Sequence, residues 1–196
     1  MPRLTDETRD ARRRQILDAA AACFRRSGFS GTSMAEIIRE SGLSAGSIYS
    51  HFSSKDEILQ ATAERTLQRA ERILAEAASA EQAVTPRGIA RTVPREVVDR
   101  DLMRMFLQLW SEAVLDPRIA QLARGNLRRV RALMAEALLP WARRRHGDGG
   151  PAEELAARRA DGLLALMHGY FVRISVDPGL DTPEFLDGIV ELLPED

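Results

Sequence analysis

Cysteine is almost absent from this chain of 196 residues, which contains only Cys23. A single cysteine excludes an internal disulfide and a metal cluster held by cysteines. Cys23 recurs at helical spacing with Ile16, Ala20 and Phe24, so it shares their apolar helix face. We therefore expect Cys23 to be buried in a core rather than to act as a redox sensor.

Long apolar runs and a strong net charge are also lacking. No segment reaches the roughly 20 apolar residues that a membrane-spanning helix requires, and the first residues lack the apolar stretch of a signal peptide. We therefore expect a cytoplasmic protein with no membrane contact. The formal net charge is −1, and basic and acidic residues nearly balance at the N-terminal end. Any attraction to nucleic acid should then be modest for one copy of the chain, and a dimer would be needed for useful affinity.

Patterns typical of enzymes and metal sites are missing as well. His51, His146 and His168 lie in separate segments, and the chain has no phosphate-binding glycine loop and no nucleophile elbow. These absences argue against an enzyme, and we expect no cofactor and no metal site. The apolar fraction of 44% is still sufficient to fill a small N-terminal core and a larger C-terminal one.

Two short helices separated by a tight turn are predicted after residue 31. Ser33 lies three residues before Glu36, the spacing at which a hydroxyl and a carboxylate reciprocally satisfy the free amides of a helix start. Gly42 suits the left-handed conformation that ends a helix. Ser44 then starts a second helix, which we expect over about 45–52. This arrangement is typical of a helix-turn-helix.

A third helix start follows directly and places a positive charge at an unfavourable position. Ser54 and Glu57 repeat the spacing of the capping box, so Lys55 falls in the first turn of the third helix. A lysine there opposes the helix dipole unless an anion lies close to it. A DNA phosphate would supply that anion, and the free amides of helix starts also bind phosphates.

The second short helix keeps only Ile48 and Phe52 as apolar positions and turns small or hydrogen-bonding side chains outward. A thin leading edge of this kind is what entry into the major groove requires. An ordinary helical hairpin that binds no DNA is the alternative interpretation. The residues that we predict to contact DNA are Thr32, Ser33, Ser44, Ala45, Gly46, Ser47, Tyr49, Ser50, His51 and Lys55.

The same residues resemble those of TetR-type (TetR/AcrR) transcriptional regulators. The resemblance covers about the first sixty residues, and Ile38 and Ser41 depart from it, since many relatives have alanine there. It implies a dimeric, usually repressing, ligand-responsive DNA-binding protein. The residues that carry it are the runs Gly28–Ile37 and Ser41–Phe52, together with Lys55 and Leu59.

Helical periodicity continues through the rest of the chain and predicts an all-α fold. We expect a helix-turn-helix DNA-binding domain of three helices over 1–54 and a helical ligand-binding and dimerisation domain over 55–196, joined by a long helix from about 55 to 80. Pro86, Gly88 and Pro94 should leave room for one short helix at most. The remaining helices are expected at about 10–27, 101–115 (apolar all round and therefore central), 117–145, 151–176 and 182–193.

The C-terminal helices are expected to hold a partner subunit and a ligand. The helices at 151–176 and 182–193 could form a four-helix seam of a homodimer, and packing within one chain is the alternative. A small apolar effector could bind among methionine and aromatic side chains, although such stripes also form plain core. The predicted effector contacts are Met103, Phe106, Trp110, Met134, Met167, Tyr170 and Phe171.

These expectations combine into a repressor that binds a pseudo-palindromic operator in double-stranded DNA as a dimer and is released by the effector. An activator is equally compatible with the residues, because the sequence does not give the direction of the response. A helical interaction protein that binds no DNA is the other alternative, since arginines concentrate along one helix and could also be a solvated, ion-paired face. Those arginines are Arg118, Arg124, Arg128, Arg129, Arg131 and 143–145, and their expected partners are Glu153, Glu154 and Asp161.

Overall fold

The structure is a computed structural model that describes residues 6–79, 84–97, 100–180 and 182–193. The described residues form helices and no strand, so the predicted all-α fold is confirmed. In chain order the helices are α1 (Asp6–Ser27), α2 (Met34–Ser41), α3 (Ala45–Tyr49), α4 (Lys55–Ser79), α5 (Pro86–Val97), α6 (Arg100–Leu115), α7 (Pro117–His146), α8 (Gly150–Val176) and α9 (Pro183–Glu191), with a 3-10 turn at Pro178–Leu180. None of these described helices is both long and apolar enough to cross a bilayer.

The chain forms two compact units. The domain boundary expected between residues 54 and 55 stays a prediction. The first unit contains Met1–Arg65 and Arg104–Leu122, and the second contains Thr66–Met103 and Ala123–Asp196. The helices α4, α6 and α7 therefore each contribute residues to both units. The sequence pattern could not show this division, because a continuous helix gives no local signal of where its packing partners change.

The first unit has a small core built from one face of each of its N-terminal helices. The side chains of this core include Ile16, Ala20 and Phe24 of α1, Ile37 of α2, Ile48 of α3, Phe52, and Ile58 of α4. Cys23 is buried beside them, as predicted, and this burial raises the pKa of its thiol. A thiol with a raised pKa forms little thiolate, and the thiolate is the reactive form.

The second unit has a larger core between α5, α7 and α8, to which α9 also contributes. Leu138 and Ala160 are fully buried within it, and a smaller cluster forms where Tyr170 and Ile174 of α8 meet Leu186 of α9. Thr182 caps the start of α9, since its Oγ1 accepts a hydrogen bond from the Phe185 N–H at 3.2 Å.

Two expectations about the middle of the chain are wrong. The segment expected to hold one short helix at most forms the 12-residue α5, which continues through Pro94. Proline costs one backbone hydrogen bond at that position, and the burial of Ile89, Val93 and Pro94 offsets that cost. Helix α6 is not buried on all sides within this chain, because Val114 and Leu115 are each 84% exposed.

Candidate nucleic-acid interface

The start of α2 is fixed by the predicted capping box. The Glu36 N–H donates to Ser33 Oγ at 3.2 Å, and the Ser33 N–H donates to the Glu36 carboxylate at 2.7 Å. The Ser33 N–H, followed by the Ser33 hydroxyl, holds the pKa of Glu36 below its ordinary value. At the other end, Gly42 has a φ of 66°, a left-handed conformation that costs other residues free energy. Both ends of α2 are therefore set by local chemistry.

The turn after α2 leads directly into α3. Ser44 Oγ accepts a hydrogen bond from the Ser47 N–H at 3.2 Å, which caps α3 as predicted. Helix α3 ends at Tyr49 rather than near residue 52, but the Phe52 N–H still donates to the Ile48 carbonyl at 2.9 Å. Ile48 and Phe52 are both buried, so the inner face of this segment is anchored in the core of the first unit.

The outer face of α3 is open to solvent within this chain. Tyr49 is 53% exposed, and Ser47 and His51 are partly exposed. The hydroxyl of Ser50 donates to the Ser47 carbonyl at 2.7 Å, so its proton is used within the helix. The other exposed residues of this face are Ser44, Ala45, Gly46 and Ser50. These residues form a narrow surface that is exposed to solvent.

The side chain of Thr32 is buried, and this corrects its inclusion among the predicted side-chain contacts with DNA. It is 2% exposed, and its hydroxyl donates to the Gly28 carbonyl at 2.7 Å. The hydroxyl therefore satisfies a carbonyl at the end of α1 instead of facing a phosphate. The sequence predicted a DNA contact for Thr32 because a threonine before a helix is often a capping residue, and helix starts can bind phosphates.

Lys55 has internal partners that the sequence did not indicate. Its Nζ donates to the Phe29 carbonyl at 2.6 Å and to the Thr32 carbonyl at 2.7 Å, and it lies 4.3 Å from the centre of the Phe29 ring. Carbonyl oxygens and an aromatic face thus compensate the positive charge, for which we expected an anion. Contact of Lys55 with a DNA phosphate stays a prediction.

The capping box expected at the start of α4 is displaced by one residue. The Glu57 N–H donates to Ser54 Oγ at 3.2 Å, as predicted. The Glu57 carboxylate, however, accepts from the N–H of Ser53 at 2.7 Å and from its hydroxyl at 2.9 Å. The Ser53 N–H, followed by its hydroxyl, lowers the pKa of Glu57.

Positive charge from α1 gathers next to the C-terminal end of α3. The guanidinium of Arg13 lies 4.5 Å from the centre of the Phe52 ring. Burial lowers the pKa of His51, and the charges of Arg9 and Arg13 lower it further. From the sequence, the arginines at 9–14 could form either a DNA-binding arm or a solvated helix surface. Their closeness to His51 depends on how the helices pack, so residue spacing could not reveal it.

The predicted effector contacts are divided between the two units. Met134 and Met167 are buried in the larger core, and Phe171 packs against that core and against Tyr170, with ring centres 5.8 Å apart. Met103 is also buried in the second unit. Phe106 and Trp110 are partly buried and belong to the first unit. The structure thus places Met134 and Met167 in the larger core and Tyr170 in the smaller cluster, with Phe171 packed against both. Contact of these residues with an effector stays a prediction.

The arginines of α7 include several ion-paired side chains. Arg131 binds Asp161 through two hydrogen bonds of 2.6 and 3.1 Å, and Arg143 lies 3.3 Å from Asp148. The expected partner Glu154 pairs with Arg158 of α8 instead. These pairs are exposed and contribute little to stability. In the parts of the chain that the structure describes, no group of three His, Cys, Asp or Glu side chains is placed to hold a metal ion.

A capped α2, a tight turn and a short α3 with an open outer face define the class of protein: a helix-turn-helix DNA-binding protein. Comparison with known proteins agrees with this class. Residues 16–62 match the family described as bacterial regulatory proteins, tetR family, and residues 85–191 match the BetI-type transcriptional repressor, C-terminal family. The chain belongs to the TetR family of bacterial regulatory proteins, which confirms the resemblance found in its sequence.

Individual relatives extend the similarity over nearly the whole chain. The HTH-type transcriptional regulator BetI of Paraburkholderia phymatum is 31% identical over 180 residues, which are 87% of this chain and 85% of the relative. BetI of Burkholderia mallei is 29% identical and covers 88% of this chain and 85% of its own length. The crystal structure of a transcriptional regulator from Pseudomonas aeruginosa PAO1 has a TM-score of 0.73 and 25% identity, covering 97% of this chain and 90% of that one. The chain is a DNA-binding transcriptional regulator, and its relatives are regulators rather than enzymes.

Proposed function

We propose that the chain is a repressor that binds a pseudo-palindromic operator as a homodimer and releases it when a small apolar effector binds. The observation that carries this proposal is the open outer face of α3, held in place by Ser44 and by the buried Ile48 and Phe52. The match of residues 85–191 to a family of repressors supports the direction of the response. An effector that favours the DNA-bound form would make the protein an activator or co-repressor instead. Because bacterial DNA lies in the cytoplasm, a protein that binds an operator would act in the cytoplasm.

The DNA contacts in this proposal come from both ends of the helix-turn-helix. Ala45 and Gly46 are small enough for close approach to base edges, and Ser47 offers a hydroxyl that could read them. Tyr49 and His51 would contact phosphates on the flanks, and these contacts would position the protein without reading sequence. The complete proposed set is Ser33, Ser44, Ala45, Gly46, Ser47, Tyr49, Ser50, His51 and Lys55.

Dimerisation through α8 and α9 is supported by an exposed face that runs along α8. Its members are spaced three or four residues apart, so they share one side of the helix. Val172 is 41% exposed and Val176 78%, while Leu192 just after α9 is 79% exposed. The exposed face consists of Gly162, Ala165, Gly169, Val172 and Val176. An isologous interface of two such helix pairs would present two copies of α3 to a symmetric operator.

Release by an effector requires a connection between its binding site and α3. Helix α4 is continuous from Lys55 to Ser79 and contributes residues to both units, so we propose that it carries the change. The effector would contact Met103, Phe106, Trp110, Met134, Met167, Tyr170 and Phe171. Linkage then requires that operator DNA weaken effector binding by the same factor by which the effector weakens DNA binding.

Selection from a pool of randomised duplexes tests the DNA-binding part of the proposal. The protein should enrich an inverted repeat, and Ser47→Ala should change the preferred bases more than the overall affinity. Tyr49→Ala should weaken binding at every salt concentration without changing the salt dependence, because its hydroxyl carries no charge. Ser111→Ala, at an exposed site on α6, is the matched control. Failure to enrich any sequence, or parental binding by Tyr49→Ala, would contradict the proposal.

Lys55→Ala separates the two roles that Lys55 could have in DNA binding. If its ammonium neutralises a phosphate, the variant should reduce the slope of log affinity against log salt by about one. If Lys55 only holds the carbonyls of Phe29 and Thr32, the affinity should fall and the slope should stay the same. We expect the fall in slope, and an unchanged slope would remove Lys55 from the proposed DNA-binding residues.

A further inference from the structure

The turn between α1 and α2 is held from the side of α4. This turn, from Gly28 to Thr32, leads directly to the Ser33 cap of α2. Lys55 Nζ binds the carbonyls of Phe29 and Thr32, as described above. The position of the turn therefore sets where α2 begins, and the tight turn after α2 then sets where α3 lies.

The same turn is also held by Glu112, a residue of α6 that is 82 positions away in sequence. The Ser30 N–H donates to Glu112 Oε1 at 3.1 Å, and the Ser30 hydroxyl donates to Glu112 Oε2 at 2.8 Å. Both oxygens of one carboxylate are thus engaged by one residue of the turn. Hydrogen bonds to an ionised acceptor are stronger than those between neutral groups.

Close approach of α6 to the turn is also evident at Gly28. A Cβ added to Gly28 would lie 3.5 Å from Glu112 Oε1 and 3.7 Å from Gln108 Oε1. The corner after α6 also lies within electrostatic reach of Asp56 in the first turn of α4. Arg118 has its guanidinium pKa raised by a hydrogen bond and ion pair with Asp116, and more weakly by the charge of Asp56. The C-terminal part of α6 is therefore an integral part of the first unit.

We propose that Glu112 is a positioning residue for DNA binding, whose carboxylate fixes the α1–α2 turn through Ser30 and thereby fixes the placement of α2 and α3. This inference rests on the proposed function. Without Glu112 the turn gains conformational freedom, and that freedom must be lost again when α3 enters a groove. Phe106 and Trp110, two of the proposed effector contacts, lie on the same helix, so an effector that moves α6 would act on this contact.

The sign of the effect distinguishes this role from simple electrostatics. Glu112 is a negative charge in the DNA-binding unit, so its removal on electrostatic grounds alone should strengthen the attraction to phosphates. A positioning role predicts weaker binding instead. Glu136→Gln on α7 removes one exposed negative charge elsewhere and serves as the matched control.

The first experiment measures the affinity of Glu112→Gln for the duplex that the parent selects. Glutamine keeps the shape of the side chain, but its amide nitrogen cannot accept a hydrogen bond. We expect the affinity to fall about tenfold, as for the loss of hydrogen bonds to a charged acceptor, with an unchanged salt slope and with Glu136→Gln at parental affinity or tighter. Hydrogen exchange of the Ser30 amide should become faster in Glu112→Gln. Equal or tighter DNA binding by Glu112→Gln would overturn the proposal.

A second pair of variants tests the same contact from the turn and does not alter α6. Ser30→Thr keeps the hydroxyl, and Ser30→Val has the shape of threonine with a methyl group in place of that hydroxyl. We therefore expect parental affinity from Ser30→Thr and weaker binding from Ser30→Val. Adding Ser30→Val to Glu112→Gln should lower the DNA affinity little more than Glu112→Gln does alone, because both substitutions remove the same interaction. Equal affinities of the threonine and valine variants would also overturn the proposal. If the parent selects no duplex at all, the proposed function fails rather than this contact.

Discussion

Single side chains around α3 divide into those that stay exposed and those that hold the segment together. Tyr49, Ala45 and Gly46 are exposed, whereas Thr32 and Lys55 have partners within the chain. Residues of both kinds are polar or small and lie within two dozen positions of one another. Their type alone therefore does not distinguish a DNA contact from an internal hydrogen bond.

His51 should make DNA binding dependent on pH. Burial lowers the pKa of His51, and the charges of Arg9 and Arg13 lower it further, so the imidazole is neutral at about pH 8. A phosphate next to it would offset both effects and raise the pKa, so binding would take up a proton. The affinity for the selected duplex should therefore rise between about pH 8 and pH 6.

Fluorescence anisotropy at constant salt measures this pH dependence, with His51→Gln as the control. The variant should show a flatter dependence than the parent, because glutamine does not titrate. Identical pH profiles for both proteins would place His51 away from the phosphates.

Local sequence signals determine where several helices of this chain begin. The starts of α2, α3 and α9 follow their sequence signals because each depends on a side chain within three residues of the amide that it satisfies. The interior of a helix is less determined by local signals. Helix α5 continues through Pro94 because its apolar face is buried against the second unit's core.

Glu36→Gln should reduce the acid sensitivity of folding. The pKa of Glu36 is below its ordinary value because the Ser33 N–H and hydroxyl stabilise the carboxylate. Its contribution to stability is present above the unfolded pKa of about 4.3 and is lost as the pH falls through the lower folded pKa. Glutamine can keep the capping geometry without titrating.

Urea unfolding between about pH 7 and pH 3 measures the free energy of unfolding for this comparison. The advantage of the parent over Glu36→Gln should shrink as the pH falls below the unfolded pKa of a glutamate, about 4.3. Glu136→Gln on α7 is the control for the loss of a carboxylate. A difference between parent and Glu36→Gln that stays constant across this range would contradict the assigned role.

The complete protein, as we propose it, is a pair of chains, and an operator with two half-sites needs both copies of α3. The exposed face of α8 supplies a surface on which a second copy could pack, because its glycines permit close approach. We predict that the partner chain covers this surface, whereas the exposed face of α3 stays free until DNA binds.

Gly169→Glu should separate the dimer. Nothing lies within 4 Å of a Cβ added at Gly169, so the substitution fits the isolated chain but would place a charge in the proposed interface. Gly125→Glu on α7 is the matched control, since a Cβ added there also meets nothing within 4 Å. Light scattering should give a monomer mass for the first variant and a dimer mass for the second, with loss of affinity for the inverted repeat only in the first. A dimeric Gly169→Glu would show that the chains associate elsewhere.

Much of the candidate site could be predicted from the sequence because it is built from short-range chemistry. The Ser33 and Glu36 box, the left-handed Gly42, the Ser44 cap and the buried Ile48 all depend on residues within one or two helical turns. Periodicity likewise gave the helical class of the fold, because an apolar stripe recurs wherever a helix has one buried face.

Only the tertiary structure decided which of these residues are internal and which distant segments support them. The burial of Thr32, the carbonyl partners of Lys55 and the contact of Ser30 with Glu112 depend on how α1, α4 and α6 pack. Local sequence patterns record the environment along one helix, whereas a hydrogen bond across 82 residues depends on the three-dimensional path of the whole intervening chain. The sequence alone therefore determined where the helices of the helix-turn-helix begin, and the tertiary structure determined what holds them in position.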